Sequence, residues 1–442
     1  IAALAALHAR QQHGAGNRIE APLMDAAMSA AAGVIFQVAD QPARYNAPPL
    51  SRRLLDHISL RRLPRGLAEN AHQLVGGMMP ALFRNYVCGD GQLLFICAID
   101  NANHIAKLLD ATRLGDEARA LGFDFGDVLD SPPTANNINA YRGRTVQWKA
   151  LKKLLDARFA TASADEWAER LALAGVPAIR QRSLQQWTQV PAMQESGVLV
   201  QGANGRIQPA PQVDVEGVQC STRAASAHQT SAPGETVLAW RSPKAFVAPR
   251  AVQAASAQMG APLAGIRVLD LANVIAGPSA GRTLAELGAE VTHISAVTPR
   301  MGPRMNLLLG MEVNQGKRSL ALDLHQPAGQ QVLHRLLPGC DVLIYNKLPE
   351  QAQRLGVSPA QVHAVNERTV ISTVTAYGGL HAGGWEGRPA YDPVIQALTG
   401  IMQRFGSEAA PAVHGIASCI DYFTGYAGAF GALLGLVARS RG

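Results

Sequence analysis

The sequence predicts an α/β protein with two domains, a parallel doubly wound sheet domain and a smaller α/β domain. The chain has 442 residues, a length for which two domains are the default expectation. From residue 262 onward, short apolar strands alternate with helical patterns, as in βαβ units whose strands are parallel. Residues 84–200 instead combine a hairpin with helical segments, which indicates a separate unit.

The first part of the chain divides into three segments. Residues 1–45 predict an apolar helix that ends at a Gly-rich break, followed by a short strand and a second helix. Residues 46–200 predict the small α/β domain with a connecting segment. Its hairpin turns at Gly-Asp-Gly, and Asn101 or Asn103 caps the helix that follows. Residues 201–261 are rich in Gly, Pro, Ser and Gln and predict a linker.

Residues 262–442 predict the parallel sheet domain. We expect its strands at the segments IRVLDL, EVTHIS, SLALDL, DVLIY and TVISTVTAY. Pro327 falls in the first turn of an intervening helix, where its missing N–H costs no hydrogen bond. Ligands of such sheets bind at the carboxyl ends of the strands, so the residues that follow each strand are candidates for a site.

Composition disfavours several classes of protein. The net charge of +7 is modest for this length, and no basic run is interleaved with aromatic residues, which disfavours nucleic-acid binding. Five widely spaced cysteines without a CxxC pair predict neither a disulfide framework nor a metal site, and they favour a cytoplasmic location. We also expect no membrane span and no signal peptide. The missing initiator Met and the helical pattern at the last residues lead us to expect a fragment.

Several loops of the sheet domain have two interpretations. The segment 272–290 can seat a phosphate at a helix N-terminus or form an ordinary βα turn, and it lacks the GxGxxG pattern of an NAD site. Lys317 and Arg318 can bind phosphate, although solvated side chains are commoner. Asn346 can contact a nucleotide or pantetheine, or stabilise a turn. Arg354 can bind phosphate or lie on a helix surface.

Asp421 begins the apolar segment that ends the chain. Asp is a preferred helix cap, and capping is the first interpretation of this residue. A carboxylate nucleophile held at a helix start is the alternative, with Gly425 and Gly428 leaving room for a substrate and His414 as an acid–base partner. Asp392 stands before a proline and predicts an N-cap for its own helix.

Together, these segments resemble the family III CoA-transferases, which include formyl-CoA transferase, carnitine CoA-transferase and α-methylacyl-CoA racemase. The resemblance rests on PLAGIRVLDLANVIAGPSAGRTLAELGAEVTHI, NQGKRSLALDLHQPAG, DVLIYNKLPEQAQRLGV and GRPAYDPVIQALTG, in family order. It implies a Rossmann-like CoA-binding domain over 262–442. A weaker resemblance over 84–200 implies the small domain, and one over 2–28 implies the segment that normally follows the catalytic aspartate. The domain order would then be reversed, as in a permuted or tandem-fused protein.

A short internal similarity also indicates a permuted or tandem-fused protein. Residues 6–14 line up with 435–442, so that Leu7 matches Leu436 and Arg10 matches Arg439. The first helix therefore resembles a second copy of the last helix.

The resemblance implies that Asp421 is the catalytic aspartate. Its carboxylate would attack an acyl-CoA thioester to give an acyl–aspartyl anhydride, and returning CoA would form an aspartyl-CoA thioester that a carboxylic acid takes over. No cofactor is implied to be permanently bound, and the CoA thioester is a substrate. The implied CoA contacts are Val274, Ile275, Ala276, Asn346, Arg354 and Tyr377. Gly76 and Gly77 are expected to line the site.

The resemblance leaves two alternatives. Racemases of the superfamily pair the aspartate with a His, and Tyr391, another expected lining residue, occupies that position here. We therefore prefer a transferase to an acyl-CoA racemase or epimerase. Altered CoA contacts, such as Lys347 in place of an aromatic residue, leave a catalytically degenerate CoA-binding subunit as the other alternative. An interlocked homodimer is the implied assembly, without nucleic acid or membrane.

Overall fold

The computed structural model describes most of both α/β units. The described residues are 1–14, 16, 18–30, 80–127, 136–139, 146–201, 205, 207–210, 212–216, 260–298, 309–379, 383–414 and 419–440. Gly76 and Gly77, as well as most of the predicted linker, lie outside them.

The elements follow the expected change of pattern along the chain. Up to residue 216 they are α1 (Ala2–His13), α2 (Leu23–Ala30), β1 (Phe83–Val87), β2 (Leu93–Cys97), α3 (Ala102–Thr112), α4 (Gly115–Ala120), α5 (Val146–Phe159), α6 (Ala164–Leu173), β3 (Ala178–Arg180), α7 (Leu184–Trp187), α8 (Pro191–Glu195), β4 (Leu199–Gln201) and β5 (Ile207–Pro209). From residue 260 they are β6 (Arg267–Asp270), α9 (Ala276–Glu286), β7 (Glu290–Ser295), α10 (Gly310–Val313), β8 (Arg318–Ala321), α11 (Pro327–Leu336), β9 (Val342–Tyr345), α12 (Pro349–Arg354), α13 (Pro359–Val365), β10 (Val370–Thr373), α14 (Asp392–Leu398), α15 (Ile401–Phe405) and α16 (Cys419–Arg439).

The small unit is built on an antiparallel sheet in the order β1-β2-β3, which confirms the predicted hairpin. The turn works because Gly91 adopts a φ of 73°, a conformation that most side chains disfavour. Helices α3, α5 and α6 supply apolar side chains to a common core with β2, including Leu108, Leu155 and Leu171. Asn101 caps α3, as predicted.

The second unit is a five-stranded parallel sheet in the order β10-β9-β6-β7-β8. This confirms the mixed α/β prediction with a parallel sheet. Every residue of β9 is buried, which explains its continuous apolar run. The chain runs from β6 to β7 on one side and returns to β9 on the other. The sheet therefore has its switch point between β6 and β9, where doubly wound proteins bind ligands.

Helix α16 packs against α9 and β10. A Cβ on Gly425 would lie 2.6 Å from the carbonyl oxygen of Ala276, and one on Gly428 would lie 3.3 Å from the Cβ of Ala280. The two glycines thus permit close packing of helices, and not the substrate space we expected of them. By length and hydropathy alone, Ile420–Arg439 could cross a membrane, contrary to the expectation from the sequence. One face of this helix, with Ala429, Leu433 and Leu436, is buried in the core cluster of the sheet domain, and 39% of the segment's window is buried.

Two details at the segment boundaries differ from expectation. The boundary predicted at residue 201 falls inside the β4–β5 hairpin, whose register pairs Gln201 with Ile207. The short strand expected before α2 is not formed by residues 18–22. Helix α1 packs against α16 through buried Ala5, and the side chains of Gln11 and Ser440 are hydrogen-bonded.

The two units are joined by a shared apolar cluster. Helix α14 contacts β2 and β3, and its Val394 and Leu398 are buried in one cluster with Phe95 and Ile179 of the small unit. The Arg182 N–H also donates to the carbonyl oxygen of Ala397, at 3.0 Å. This packing places the residues before α14 and those at the carboxyl end of β2 at the boundary between the two units.

Candidate active site

Asp421 is the third residue of α16 and keeps part of its surface open to solvent. Burial of its carboxylate and the negative charge of Asp392 raise its pKa well above the ordinary range. Among the described residues, none donates a hydrogen bond to this carboxylate. The side chain therefore does not cap its helix, so the local interpretation as a cap is wrong.

Asp392 supplies the cap instead, from another helix. Its Oδ2 accepts the N–H groups of Ile420 and Asp421, at 2.9 and 3.1 Å. Its own helix α14 begins after Tyr391 and has no side-chain cap, so the prediction that Asp392 caps α14 is wrong. The N-terminal N–H groups of a helix can donate to any suitably placed carboxylate, whether or not it is adjacent in sequence.

Gln396 holds Asp392 in this position. Its Nε2 donates to Asp392 Oδ1, and its amide also pairs with the backbone N–H and carbonyl of His414, at 2.9 and 3.1 Å. These bonds fix the chain that leads into α16. Burial raises the pKa of Asp392, and the hydrogen bonds from Gln396 and the helix N–H groups counter this effect.

The small unit forms a second wall of the site. Cys97 ends β2 and is close enough to Asp421 and Asp392 for their charges to raise its thiol pKa, in addition to burial. The hydroxyl of Tyr391 lies 3.3 Å from Asn101 Nδ2 and 3.4 Å from His104 Nδ1. Sequence reasoning identified Tyr391 but missed Cys97 and His104, because no local pattern places the small unit beside α14.

The loop after β6 forms a third wall. Val274 has a φ of +70°, a strained conformation for a β-branched side chain, and such strain clusters at functional sites. Ile275 is buried and precedes the first residue of α9, Ala276. Ile275 and Tyr422 belong to one buried cluster and Val274 packs against it, so the predicted loop residues lie near the residue that follows Asp421.

Asn346 holds this loop from the end of β9. Its Oδ1 accepts the N–H of Asn273 at 3.0 Å, and its Nδ2 donates to the Asn273 carbonyl at 2.8 Å. The Asn346 side chain thus connects the carboxyl end of β9 to the loop after β6, at the switch point of the sheet. Both ends of the amide have backbone partners, which assigns Asn346 a role in shaping the loop.

Lys317 forms a buried ion pair with Asp270. Its Nζ lies 2.6 Å from Asp270 Oδ2 and 2.7 Å from the carbonyl oxygen of Pro278, so neither sequence interpretation, phosphate ligand or solvated side chain, describes it. Arg318 is exposed and lies 3.8 Å from Glu290. We assign Lys317 a structural role, since breaking a buried pair leaves an uncompensated charge.

The remaining predicted CoA contacts, and Lys347, differ in their surroundings. Tyr377 is buried against Trp385, with ring centroids 5.1 Å apart. Arg354 is exposed at the end of α12. Lys347 follows β9, and burial lowers its pKa to about 8. Val274 and Ile275 therefore pack with Tyr422 of α16, whereas Tyr377 lies in the apolar cluster that also contains Cys97 and Tyr391.

A buried network supports α16 next to Asp421. The Tyr422 hydroxyl donates to Glu312 Oε2 at 2.6 Å, and the guanidinium of Arg282 on α9 pairs with Glu312 Oε1. Glu312 is almost fully buried, and this pairing supplies its counter-charge. In the part of the chain that the structure describes, no group of His, Cys, Asp and Glu is suited to hold a metal ion.

A family model and similar curated proteins show the family to which this chain belongs. A sequence model described as "CoA-transferase family III" matches residues 1–234 and 263–442. CoA-transferase/lyase DddD of Marinomonas sp. (strain MWYL1) is 26% identical over 455 residues, which cover 99% of this chain and 53% of that protein. Succinyl-CoA:glutarate CoA-transferase of Mus musculus is 31% identical over 189 residues, which cover 41% of this chain and 43% of that protein. The chain spans about half the length of these curated relatives.

A solved structure gives a similar partial match. The CAIB/BAIF family protein from Brucella suis is 28% identical, with a TM-score of 0.36. The match covers 41% of this chain and 50% of that chain.

Proposed function

Because this chain belongs to the family III CoA-transferases, we propose that it moves CoA from an acyl-CoA thioester to a carboxylic acid, with Asp421 as the nucleophile. The observation that carries this proposal is the raised pKa of the Asp421 carboxyl group, together with its lack of hydrogen-bond donors among the described residues. The residue is half-buried, and burial and the charge of Asp392 raise the pKa of its carboxyl group. These properties make a carboxylate a stronger nucleophile than one in water.

The proposed reaction begins with attack on the thioester. An oxygen of Asp421 bonds to the acyl carbon and the C–S bond breaks, which gives an acyl–aspartyl anhydride and a CoA thiolate. The thiolate then attacks the aspartyl carbon, so the first acid leaves with the bridging oxygen that came from Asp421. The acceptor carboxylate repeats these steps in reverse and restores the Asp421 carboxylate. No net proton or electron is gained or lost.

The raised pKa sets a condition on this mechanism. Asp421 attacks only when it is ionised, so its activity increases with pH through a pKa above that of an ordinary aspartate. The first turn of α16 is fixed by Asp392 and supported by Tyr422, which restricts the orientation of the carboxylate. Such positioning is worth several powers of ten in rate when it holds reacting atoms at contact distance.

We propose that CoA binds across the switch point of the sheet. The loop of Val274, Ile275 and Ala276 supports this position, because it precedes the N-terminus of α9 and packs beside α16. Asn346 contributes by holding that loop. Contacts from Arg354 and Tyr377, and lining by Gly76, Gly77 and Tyr391, remain part of the proposal.

An isotope experiment tests the nucleophile. We expect that full-length protein, turned over with an acyl-CoA and a carboxylic acid labelled with heavy oxygen, acquires the label in the Asp421 side chain. Peptide mass spectrometry measures it. Asp421→Asn, which keeps the shape of the side chain, should reduce turnover at least about 10³-fold. Turnover that survives Asp421→Ala, or label found elsewhere, would contradict the proposed route.

A lyase activity is the second candidate. It is favoured by the match to the CoA-transferase/lyase over 99% of this chain. Elimination from an acyl-CoA and racemisation both require removal of the α-proton, whereas CoA transfer does not. Burial raises the pKa of Tyr391, which argues against this residue as the base. Solvent deuterium that enters the α-carbon would favour these alternatives, and its absence favours simple transfer.

The assembly and location belong to the same proposal. We propose a homodimer in the cytoplasm that acts on acyl-CoA and a carboxylic acid. Light scattering on the full-length protein measures the assembly, and a monomer at assay concentration would contradict the homodimer.

A further inference from the structure

The ion pair of Lys317 and Asp270 lies buried next to the loop after β6. The Lys317 side chain is 1% exposed and that of Asp270 is 0% exposed. Lys317 Nζ lies 2.6 Å from Asp270 Oδ2, 2.7 Å from the Pro278 carbonyl oxygen and 2.8 Å from Asn314 Oδ1. An ammonium group has three donors, so each donor of Lys317 has an acceptor within the protein. Lys317 therefore has no donor left for a ligand, and any effect it has on binding acts through its partners.

The two oxygens of Asp270 connect Lys317 to the start of the loop. Oδ1 accepts the N–H of Ala272 at 2.9 Å, while Oδ2 accepts from Lys317. Lys317 also donates to Pro278, which lies in the first turn of α9. The ion pair therefore holds both ends of segment 272–278 with charge-assisted hydrogen bonds. The segment is tightly folded, because a Cβ on Gly277 would lie 2.2 Å from the Cβ of Ala272.

The middle of segment 272–278 is strained and accessible. The φ of Val274 is +70°, a conformation that persists in a β-branched residue only where the surrounding structure imposes it. Asn346 holds the N–H and the carbonyl of Asn273, which precedes Val274. Asn273 is exposed and Val274 is partly exposed, whereas the other residues of 271–280 are buried. A ligand can thus reach the middle of the segment, and it cannot reach the ion pair that holds the two ends.

We propose that Lys317 and Asp270 are positioning residues, whose buried ion pair holds segment 272–278 in the conformation that binds CoA before CoA arrives. This inference rests on the proposed function, because CoA binding at this loop is part of that proposal. A loop that is already ordered loses less conformational freedom on binding, so the ligand binds more tightly. The ion pair therefore acts on affinity for CoA without contact with it.

A double variant tests the inference in the full-length protein and leaves no unpaired buried charge. In Lys317→Met combined with Asp270→Asn, the introduced amide oxygen can still accept from Ala272, but the bond to Pro278 is lost. We expect calorimetry with free CoA to give a Kd about tenfold higher, since a loop that is correctly folded about a tenth of the time binds about tenfold more weakly. KM for the acyl-CoA should rise similarly, with kcat changed less than about twofold, because saturating acyl-CoA restores the loop.

The ion pair of Arg439 and Asp341 provides a matched control. Asp341 also accepts a backbone N–H, that of Arg267, and Arg439 also donates to a backbone carbonyl, that of Arg368. This pair lies at the opposite edge of the same sheet, because Asp341 precedes β9 and Arg267 begins β6. We expect Arg439→Met combined with Asp341→Asn to reduce stability but to leave Kd for CoA within about twofold. If both double variants weaken CoA binding equally, the effect is a general loss of stability and the inference is wrong.

Gly281 allows a second test that keeps both charges. A Cβ on this residue of α9 would lie 2.7 Å from Asp270 Oδ2 and 3.1 Å from Lys317 Nζ. Gly281→Ala therefore displaces the ion pair, although alanine itself favours the helix. We expect Kd for CoA to rise about two- to fivefold. A Kd that is unchanged both in this variant and in Lys317→Met combined with Asp270→Asn would overturn the inference.

Hydrogen exchange measures the order of the loop without turnover. We expect backbone amides in peptides that cover 272–278 to exchange about tenfold faster in Lys317→Met combined with Asp270→Asn than in the unmodified protein or the control variant. CoA should restore slow exchange. Faster exchange in the variant of a protein whose unmodified form binds no CoA would support the hold of the ion pair on the loop and contradict the proposed function. Unchanged exchange in the variant would overturn the inference, whatever the activity.

Discussion

Asp392 acts on Asp421 in two ways that have opposite energetic signs. Its hydrogen bonds to the N–H groups of Ile420 and Asp421 stabilise the start of α16. Burial and the negative charge of Asp392 both raise the pKa of Asp421, so less of its carboxyl group is ionised at a given pH. If Asp421 is the nucleophile, as we propose, the same residue fixes the position of the attacking group and sets the pH range in which it is ionised.

Replacing Asp392 by Asn separates these two effects. Asn is also a good cap, so one amide oxygen can still accept from the helix N–H groups, while the charge is lost. Because the pKa of Asp421 then falls, we expect the rising limb of kcat against pH to move about one unit lower. Asp392→Ala is the control that loses both the cap and the charge. If the rising limb of kcat against pH stays in place in Asp392→Asn, or moves to higher pH, the charge of Asp392 does not raise the pKa of Asp421.

Asp421 should also lower the stability of the folded protein at neutral pH. Its pKa is raised on folding, so its favourable contribution is complete below the unfolded pKa and is lost as pH rises through the folded pKa. We therefore expect Asp421→Asn to be more stable at pH 7, by on the order of 1 kcal/mol. The difference should vanish below about pH 4. Thermal unfolding at both pH values measures it, and an equal difference at both would point to packing instead.

At the scale of elements, periodicity predicted the strands and helices better than their ends. The hairpin of β1 and β2 and the five parallel strands follow from runs of apolar residues and their punctuation. The start of α16 could not be predicted in this way, because its cap comes from Asp392, which lies 28 residues before Ile420. Local sequence rules expect a capping residue to cap the helix that directly follows it, and they therefore predicted that Asp392 caps α14.

The glycines of α16 allow a prediction about helix packing. A Cβ on Gly425 would lie 2.6 Å from the backbone oxygen of Ala276, so Gly425→Ala forces α9 and α16 apart. We expect a loss of about 1–3 kcal/mol in the free energy of unfolding, together with reduced activity. Gly431→Ala is the matched control, because its Cβ would meet only the Val213 side chain at 3.1 Å. Denaturant unfolding compares them, and equal effects would contradict a role for close helix approach.

At the scale of the whole molecule, the site combines residues that are far apart in sequence. The bond between Asn101 and Tyr391 joins positions separated by 290 residues and both α/β units. The family resemblance predicts roles for Asp421 and for the loop after β6, since these lie in long motifs. It did not identify His104 or Cys97, because the packing of the small unit on α14 depends on tertiary burial that no single motif encodes.

The contact between the first and last helices has a consequence for symmetry. Gln11 and Ser440 are 429 residues apart, the same separation that matches Leu7 with Leu436 in the internal similarity. Equivalent positions touch each other only where a two-fold axis passes between them, as in an isologous interface. A residue on such an axis faces its own counterpart, so a charge there would meet a like charge. The uncharged pair of Gln11 and Ser440 is compatible with this condition, and the internal similarity predicts that α1 and α16 meet about a local two-fold axis.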